Sequence, residues 1–361
     1  MPSKQYMDSI AHDGIQREYI LYIPASCSAK FPVPLLINYH GYGSNAGEQM
    51  VYSNFRPVAD TAGFLIVHPE GTLFNGTSHW NVGGWTVGST ADDVGFTDAL
   101  LDSLLALYNI DENKIYATGM SNGGFMSFLL ACQLSSRITA IASVTGSMTP
   151  ETYTNSNPQH PMPILQMHGT SDPVVPYNGA SWTYSIDDAM EYWVDYNACN
   201  PTPSITALPD LDPNDGSIVE HIVYEGGNNG VAVEHYKIIG GGHTWPGSVI
   251  NLPGTNYDIN ASAEIWKFFS RYDINGLIQT TNIEELGPGN PILYPNPTKS
   301  FVNVEMDLSA EVDYKLISTQ GRIIQHGVIG STNRQIDMFG LPPNIYILRI
   351  GENSIKVLKT E

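Results

Sequence analysis

Short apolar runs alternate with helix-like stretches along the first three quarters of the chain, and this alternation constrains the fold most. The apolar runs are bounded by turn residues and predict strands at 34–39, 63–68, 114–118, 141–144, 163–167 and 235–239. Between them, apolar residues recur at helical spacing at 98–108, 122–134 and 262–269. Near-continuous apolar strands separated by helices are typical of a mostly parallel sheet covered on both faces, so we predict an α/β fold. Residues 17–23 alternate in polarity and are predicted as a half-buried edge strand.

The character of the chain changes at a segment rich in Gly and Pro, 287–291. The seven basic and seven acidic residues after position 287 cancel, so the whole net charge of −20 lies before it. Beyond it, strand-like segments follow one another without a convincing helix, at 300–305, 313–317, 322–325 and 344–350. This pattern is typical of a small antiparallel β-sandwich. We predict a first domain over 1–280, a linker over 281–291 and the sandwich over 292–361.

Charge and composition exclude several kinds of binding partner and cofactor. With 16 basic against 36 acidic residues, the chain lacks the clustered Lys and Arg that nucleic acid or an anionic membrane surface requires. No apolar run reaches the length of about 18 residues that spans a bilayer, and the N-terminus shows no signal-peptide pattern. The three cysteines match no metal-binding spacing and permit at most one disulfide. We predict neither a metal nor an organic cofactor.

Gly119-Met-Ser-Asn-Gly123 matches the Gly-x-Ser-x-Gly pattern of a nucleophile elbow. The pattern by itself is weak in a chain with 34 glycines. Its context strengthens it, because the strand at 114–118 leads into it and an apolar helix leads out. The glycines permit a sharp turn that holds the Ser121 hydroxyl above the sheet edge, at a helix N-terminus that favours negative charge. Ser121 is therefore the predicted nucleophile.

A nucleophilic Ser needs a base, and the base needs an acid that orients it. Asp172 follows the strand at 163–167, and His243 lies in a glycine-rich loop after the strand at 235–239. The chain order Ser, Asp, His is the one in which sheets of this type that carry a nucleophile elbow present their triad. An Asp before Pro also commonly forms a turn, which is the alternative role for Asp172. The rival acids lie in helix-like sequence and are Asp187, Asp188 and Asp195.

Two backbone N–H groups are predicted to hold the oxyanion of the reaction. One belongs to Asn122, directly after the nucleophile, and the other to Tyr42 in the loop His40-Gly-Tyr-Gly43. Four side chains near these segments are predicted substrate contacts: Trp245, Trp80, Asn81 and His40. For the two Trp residues, the alternative is that they fill the core.

The first 280 residues resemble the polyhydroxybutyrate depolymerase and feruloyl esterase family of α/β-hydrolases over about 15–275. The motifs that carry the resemblance are His40-Gly-Tyr-Gly, Trp80-Asn81, Asp92-Asp-Val-Gly-Phe96, Tyr116-Ala-Thr-Gly-Met-Ser-Asn-Gly-Gly124, His168-Gly-Thr-Ser-Asp172 and Gly241-Gly-His-Thr-Trp-Pro-Gly247. The resemblance implies a serine esterase with Ser121 as nucleophile, Asp172 as orienting acid and His243 as base. Its substrate would be a feruloyl or acetyl ester on plant polysaccharide, or a polyester such as polyhydroxyalkanoate.

The last 74 residues resemble the type IX secretion sorting domain of Bacteroidetes. The motifs are Leu293-Tyr-Pro-Asn-Pro-Thr298, Gly340-Leu-Pro-Pro-Asn-Ile-Tyr-Ile-Leu-Arg349 and the closing Lys356-Val-Leu-Lys-Thr-Glu361. Asn344 stands where the family usually has Gly, and Asn also tolerates a left-handed backbone. The resemblance implies a secreted or cell-surface protein whose partner is the type IX machinery. A carbohydrate-binding module is the alternative for this domain.

Two other functions stay open at this level. One is a serine peptidase on the same fold, since amide cleavage needs a comparable triad. The other is a non-catalytic glycan-binding surface protein.

Overall fold

A computed structural model describes residues 2–27, 30–278, 291–306, 311–318, 322–330, 333–351 and 353–360. The chain divides into two compact units, 1–278 and 279–361. The predicted end of the first domain is 280, two residues after the end of the first unit, and most of the predicted linker, 281–290, lies outside the described residues.

A large sheet forms the centre of the first unit. The strands of this unit are β1 (Lys4–His12), β2 (Ile15–Ile23), β3 (Val33–Tyr39), β4 (Leu65–Pro69), β5 (Thr72–Phe74), β6 (Thr77–His79), β7 (Ile110–Met120), β8 (Ala140–Val144), β9 (Ile164–Gly169), β10 (Ser204–Ala207), β11 (Ile218–Tyr224), β12 (Val233–Ile239), β13 (Tyr272–Asp273) and β14 (Gly276–Leu277). Ten of them form one sheet in the order β1-β2-β4-β3-β7-β8-β9-β12-β11-β10. The stretch from β4 to β12 is parallel, and antiparallel strands flank it on both sides.

The helices of this unit lie between the strands, and most begin at a polar cap. They are α1 (Ala46–Tyr52), α2 (Arg56–Ala62), α3 (Asp93–Leu107), α4 (Asn122–Gln133), α5 (Pro150–Thr154), α6 (Ile186–Asn197) and α7 (Ala261–Phe269). Side chains of the preceding residue accept a first-turn N–H in α1, α3, α5, α6 and α7, and these residues are Asn45, Asp92, Thr149, Ser185 and Asn260. Helix α4 differs, because the residue at its cap is Ser121 and the Ser121 side chain does not cap it.

Both faces of the sheet are covered, as the sequence predicts. Helices α3, α4 and α6 bury Phe96, Phe128 and Trp193 on one face. Helices α2 and α7 bury Ala59 and Ile265 on the other. Because successive residues of a strand point to opposite faces, apolar strands are needed to supply both cores. The α/β fold prediction is confirmed.

The second unit consists of two small antiparallel sheets. Its strands are β15 (Ile292–Tyr294), β16 (Phe301–Glu305), β17 (Val312–Ser318), β18 (Ile323–Ile329), β19 (Gln335–Asp337), β20 (Asn344–Ile350) and β21 (Asn353–Lys359). One sheet has the order β15-β16-β19 and the other β18-β17-β20-β21. Val302 of the first sheet shares a buried core with Leu316 and Leu348 of the second, which makes the unit a β-sandwich, as predicted.

The edge-strand prediction for 17–23 is wrong. That segment is β2, and it lies second in the sheet because β1 pairs with it along its whole length. The side chains of β1 are mostly exposed, so its sequence lacks the apolar signal of a sheet strand. The turn between the two strands has positive φ at Asp13 (49°) and Gly14 (76°), a conformation that Asn, Asp and Gly tolerate.

Candidate active site

Ser121 occupies a sharp turn between β7 and α4. Its backbone has φ 54° and ψ −120°, an unfavourable conformation for a residue with a side chain. Two glycines make the turn possible. A Cβ on Gly119 would lie 2.5 Å from the Gly123 carbonyl carbon, and one on Gly123 would lie 2.2 Å from the Tyr39 oxygen. Any larger residue at either position would push the turn off β3, so both glycines of the pattern are sterically required.

Ser121 and His243 line the same cavity, which has a volume of about 740 Å³. Tyr42, Val51, Met120 and Leu252 are among the other side chains of its wall. The cavity is mostly apolar, and it lies where β3 and β7 end and the loop after β12 returns. Two of the three predicted triad residues therefore face one space.

Asp172 contacts the far side of the His243 ring. His243 Nδ1 lies 2.7 Å from Asp172 Oδ2, which is the geometry of an imidazole N–H that donates to a carboxylate. Bonding of Nδ1 leaves Nε2 as the ring nitrogen that can serve Ser121. Asp172 itself is buried, and its other oxygen accepts the N–H groups of Val174 (2.8 Å) and Val175 (2.9 Å).

The surroundings of Asp172 keep it ionised. Burial alone would raise the pKa of Asp172, but hydrogen bonds from His168 and His243 outweigh it and hold that pKa well below the usual range. The turn that Asp172 forms before Pro173 is also present, since its side chain bonds two N–H groups of that turn. Asp172 thus forms the turn and also contacts His243, and its role as the orienting acid stays a prediction.

The loop that bears His243 is held by the end of α1. The Tyr52 hydroxyl accepts the N–H of Trp245 at 3.0 Å, and the Ser248 hydroxyl donates to the Tyr52 carbonyl at 2.8 Å. The sequence motifs do not include Tyr52, because α1 spans only seven residues and lies outside the predicted helices. The residue also lines the cavity.

Tyr42 lies in the loop after β3, and Asn122 directly follows Ser121 in the turn between β7 and α4. Tyr42 lines the cavity, and Asn122 begins α4, where the first N–H groups have no partner within the helix. The Asn122 side chain is buried and pairs with the Trp80 backbone, accepting its N–H at 2.7 Å and donating to its carbonyl at 3.0 Å. This pair fixes the start of α4. The oxyanion role of the two N–H groups stays a prediction.

His40 is not a substrate contact, which corrects that prediction. Its side chain is buried, it accepts the Gly71 N–H at Nε2 (2.9 Å), and its Nδ1 lies 2.7 Å from the Gly41 carbonyl. Burial lowers the pKa of His40 to about 4, so the ring is neutral and its Nδ1–H donates to Gly41. The Gly41 carbonyl and the Tyr42 N–H belong to one trans peptide group and point in opposite directions. His40 thereby fixes the direction of the Tyr42 N–H.

The three other predicted substrate contacts are also engaged within the protein. Trp80 is buried and donates its indole N–H to the His40 carbonyl at 2.9 Å. Trp245 is buried and donates to the Ser262 hydroxyl at 3.1 Å. The Asn81 amide donates to the backbone of the loop before α3, at 2.9 Å to the Ala91 carbonyl. Aromatic residues near a catalytic loop can equally support it from inside, and the two Trp residues fill the core.

The cysteines and one acidic cluster lie outside this cavity. Within the described part of the chain all three cysteines are free, and burial raises the pKa of Cys132 to about 12. His12, Asp13 and Asp92 form a group of side chains with metal-binding potential at the β1–β2 turn. Asp92 caps α3. None of these residues lines the cavity of Ser121.

Two parts of the chain match known protein families. Residues 89–192 match the phospholipase/carboxylesterase family, and residues 292–360 match a secretion system C-terminal sorting domain. In the described residues, no helix has the length and apolar character needed to cross a membrane.

Individual relatives are esterases. A bifunctional acetylxylan esterase/xylanase of Neocallimastix patriciarum is 26% identical over 281 residues, and this match covers 77% of the chain but only 36% of the relative. Feruloyl esterase D of Neurospora crassa is 27% identical over 272 residues, which cover 72% of the chain and 84% of the relative. A solved structure, an acetyl xylan esterase from Aspergillus awamori, superimposes with a TM-score of 0.54 at 13% identity and covers 74% of the chain and 99% of that protein. At this identity the likeness of structure shows the fold alone.

The resemblance that the sequence motifs indicated is thereby confirmed for feruloyl esterases and for the sorting domain, whereas no match supports polyhydroxybutyrate depolymerases specifically. The sharp turn at Ser121, the strand order of the sheet and the family match are all consistent with an α/β-hydrolase fold. The first unit therefore has the α/β-hydrolase fold and is similar in sequence to carboxylic ester hydrolases, and the second unit is similar to secretion system sorting domains.

Proposed function

We propose that the protein is a secreted serine esterase that works through an acyl-enzyme on Ser121. The observation that supports this most is the 2.7 Å contact of His243 Nδ1 with the ionised Asp172, beside a cavity that Ser121 and His243 share. A carboxylate on Nδ1 sets the tautomer that makes Nε2 basic and stabilises the imidazolium that forms during reaction.

The reaction takes place in two steps. Ser121 Oγ attacks the ester carbonyl carbon while His243 Nε2 accepts the hydroxyl proton, and the N–H groups of Tyr42 and Asn122 hold the oxyanion. The bond to the alcohol oxygen then breaks, and His243 returns the proton to that oxygen. A water that gives its proton to His243 attacks the acyl carbon next. Ser121 leaves with that proton, and the carboxylic acid is released.

The cavity favours a bulky apolar acyl group over acetyl. A volume of about 740 Å³ exceeds the needs of a methyl group, and Val51, Met120 and Leu252 supply apolar wall. The names of relatives include feruloyl and acetylxylan esterases. We therefore propose a hydroxycinnamoyl ester of plant polysaccharide, such as a feruloyl ester, as the substrate. Acetyl esters of xylan and hydroxyalkanoate polyesters are the alternatives.

A substrate panel with wild type and Ser121→Ala tests this proposal. The panel contains methyl ferulate, p-nitrophenyl acetate, acetylated xylan, a hydroxyalkanoate polyester and an aminoacyl p-nitroanilide. We expect the highest kcat/KM on the ferulate and a loss of about 10³-fold or more in kcat in the variant. Comparable turnover by Ser121→Ala would reject the mechanism. Cleavage of the anilide at the rate of the esters would indicate a peptidase.

The sorting domain supports export through the type IX machinery to the cell surface or the medium. Expression in a Bacteroidetes host with and without residues 292–361 tests this role. We expect the full chain outside the outer membrane and the truncated chain retained in the periplasm. Equal export of both chains would contradict it.

A further inference from the structure

Asp172 contacts two histidines, of which the proposed mechanism uses one. Its Oδ2 lies 2.7 Å from His243 Nδ1 and 3.3 Å from His168 Nε2. His168 sits four residues earlier, on β9, and its side chain has no exposed surface, whereas that of His243 is 16% exposed. His168 therefore cannot meet a substrate, and any effect on the reaction must pass through Asp172.

The contacts of His168 define where its proton lies. The Gln166 amide nitrogen lies 3.1 Å from His168 Nδ1, and an amide N–H in that position donates to the ring. The proton of the neutral ring is then on Nε2, which lies 2.9 Å from the Val175 carbonyl as well as near Asp172. Gln166 is in turn anchored, since its amide also donates to the Gly146 carbonyl at 2.9 Å.

His168 thus contacts both ends of the turn that carries the acid. Its Nε2–H faces the Asp172 carboxylate at the start of the turn and the Val175 carbonyl at its end. The Asp172 carboxylate in turn accepts the N–H of Val175. With His168 removed, the carboxylate would lose one donor and the turn would lose one of its hydrogen bonds to β9, while the bond of the Asp172 N–H to the Gly169 carbonyl would remain.

We propose that His168 is a positioning residue of the esterase, which holds the Asp172 carboxylate in line with His243 and draws off part of its negative charge. This inference rests on the proposed function. His168 would set how strongly the imidazolium of His243 is stabilised, and hence the pH at which the base becomes available. A hydrogen bond that withdraws charge from Asp172 leaves less charge to hold the proton on His243.

The other polar side chains near His168 interact with partners other than His168. On the neighbouring strand β12, His235 lies 3.0 Å from the Tyr177 hydroxyl, and its buried ring has a pKa lowered to about 3 by burial. Tyr177, whose ring centre is 6.0 Å from that of His168, donates to Asp187 at 2.8 Å. Lys237, which is paired with His168 across the strands, places its ammonium over the Tyr177 ring at 5.1 Å. Asp172 is the acid that His168 contacts.

Two variants of His168 separate charge from packing. His168→Leu keeps most of the volume and removes the donor, whereas His168→Gln keeps an N–H at the place of Nε2. The matched control is His235→Leu, which removes a neutral buried imidazole from the neighbouring strand without touching Asp172. The measurements are the pH profile of kcat/KM on methyl ferulate, kcat at pH 8, and the thermal midpoint Tm.

For His168→Leu we expect the acid limb of kcat/KM to move to higher pH by roughly half to one unit, because Asp172 then holds the proton on His243 more firmly. We expect kcat to fall about tenfold, because the carboxylate is less well oriented. His168→Gln should restore both quantities to within about twofold of wild type. His235→Leu should lower Tm and leave the acid limb in place.

An acid limb of His168→Leu that coincides with that of wild type, or moves to lower pH, would overturn the inference. If His168→Leu does not fold, His168→Asn replaces it, since the shorter amide can occupy the place of Nδ1 but not that of Nε2. The two levels of the account fail differently. A wild type without ester hydrolysis, or an active Ser121→Ala, rejects the proposed function, whereas an unshifted His168 variant of an active esterase rejects this inference alone.

Discussion

Among the described residues of the first unit, two histidines lie within 3 Å of a buried carboxylate, and one of these two histidines lines the cavity of Ser121. His243 Nδ1 is 2.7 Å from Asp172, and His221 Nε2 is 2.9 Å from Glu234. The first pair lies on loops after β9 and β12, beside Ser121. The second pair lies within the antiparallel strands β11 and β12, where the His221 ring stacks on Tyr236 at 4.2 Å.

The carboxylates differ in their remaining partners. The other partners of Asp172 are two backbone N–H groups and His168, and no Lys or Arg of the described residues pairs with it. Glu234 forms an ion pair with Arg271, whose positive charge neutralises it. A His–carboxylate distance therefore does not identify a catalytic pair. In the pair that we propose as catalytic, the carboxylate has no Lys or Arg beside it and the histidine lines the cavity that Ser121 also lines.

The largest expected effect tests this difference directly. Asp172→Asn should lower kcat by about 10³- to 10⁴-fold, because an amide N–H beside Nδ1 favours the tautomer whose Nε2 carries the proton. Glu234→Gln is the matched control and should keep kcat within about twofold, since Glu234 contacts no residue of the cavity wall. The check is kcat on methyl ferulate for both variants. Equal losses in the two would remove the distinction between the pairs.

A second prediction concerns the free energy of unfolding, to which the pair of His221 and Glu234 should contribute. Glu234→Gln leaves Arg271 and His221 without their anion. Because the Arg271 side chain is 40% exposed, the cost falls below that of a fully buried pair, at about 2 kcal/mol. For a unit of this size that corresponds to a fall of roughly 4–8 °C in Tm. Scanning calorimetry would measure it, and an unchanged Tm would show that the network contributes nothing to folding.

The smallest expected effect is the pH dependence of that cost. Burial raises the pKa of Glu234, but the hydrogen bond from His221 and the charge of Arg271 outweigh it and lower the pKa below the ordinary value. A carboxylate with a depressed pKa stabilises the fold above the pKa of the unfolded state, about 4.3, and this stabilisation is lost as the pH falls through the folded-state pKa. The stability difference between wild type and Glu234→Gln should therefore be full at pH 7 and shrink below about pH 4.

Denaturant titrations at pH 7, 5 and 3.5 would follow this difference. A gap between the two proteins that stays constant or widens in acid would contradict the assigned role of Glu234.

Sequence predicted those parts of the fold whose residues are apolar, because an apolar composition indicates burial. The strand predicted at 34–39 is β3, because a strand buried on both faces is mostly apolar. By contrast β1, with exposed side chains, and α1, held by its cap and by Tyr52, owe their place to pairing and tertiary contacts. Those contacts leave little trace in local composition.

The candidate site shows the same limit. Ser121, Asp172 and His243 follow strand ends in the order that the fold requires, and such ends converge at one edge of a parallel sheet. Which face a Trp presents cannot be read from its neighbours in sequence, and Trp80 and Trp245 proved to be buried. His168 carries a sequence signal of its own. A histidine on a buried strand, four residues before the acid, needs a buried partner.

Covalent labelling tests the central claim most directly. Diethyl p-nitrophenyl phosphate reacts with an activated serine to form a phosphoryl ester and releases p-nitrophenolate. Intact-mass analysis and peptide mapping should find one diethylphosphoryl group per chain, on Ser121, together with complete loss of ester hydrolysis, and should find no label in Ser121→Ala. Label on another residue, or ester hydrolysis that persists in fully labelled protein, would contradict the account.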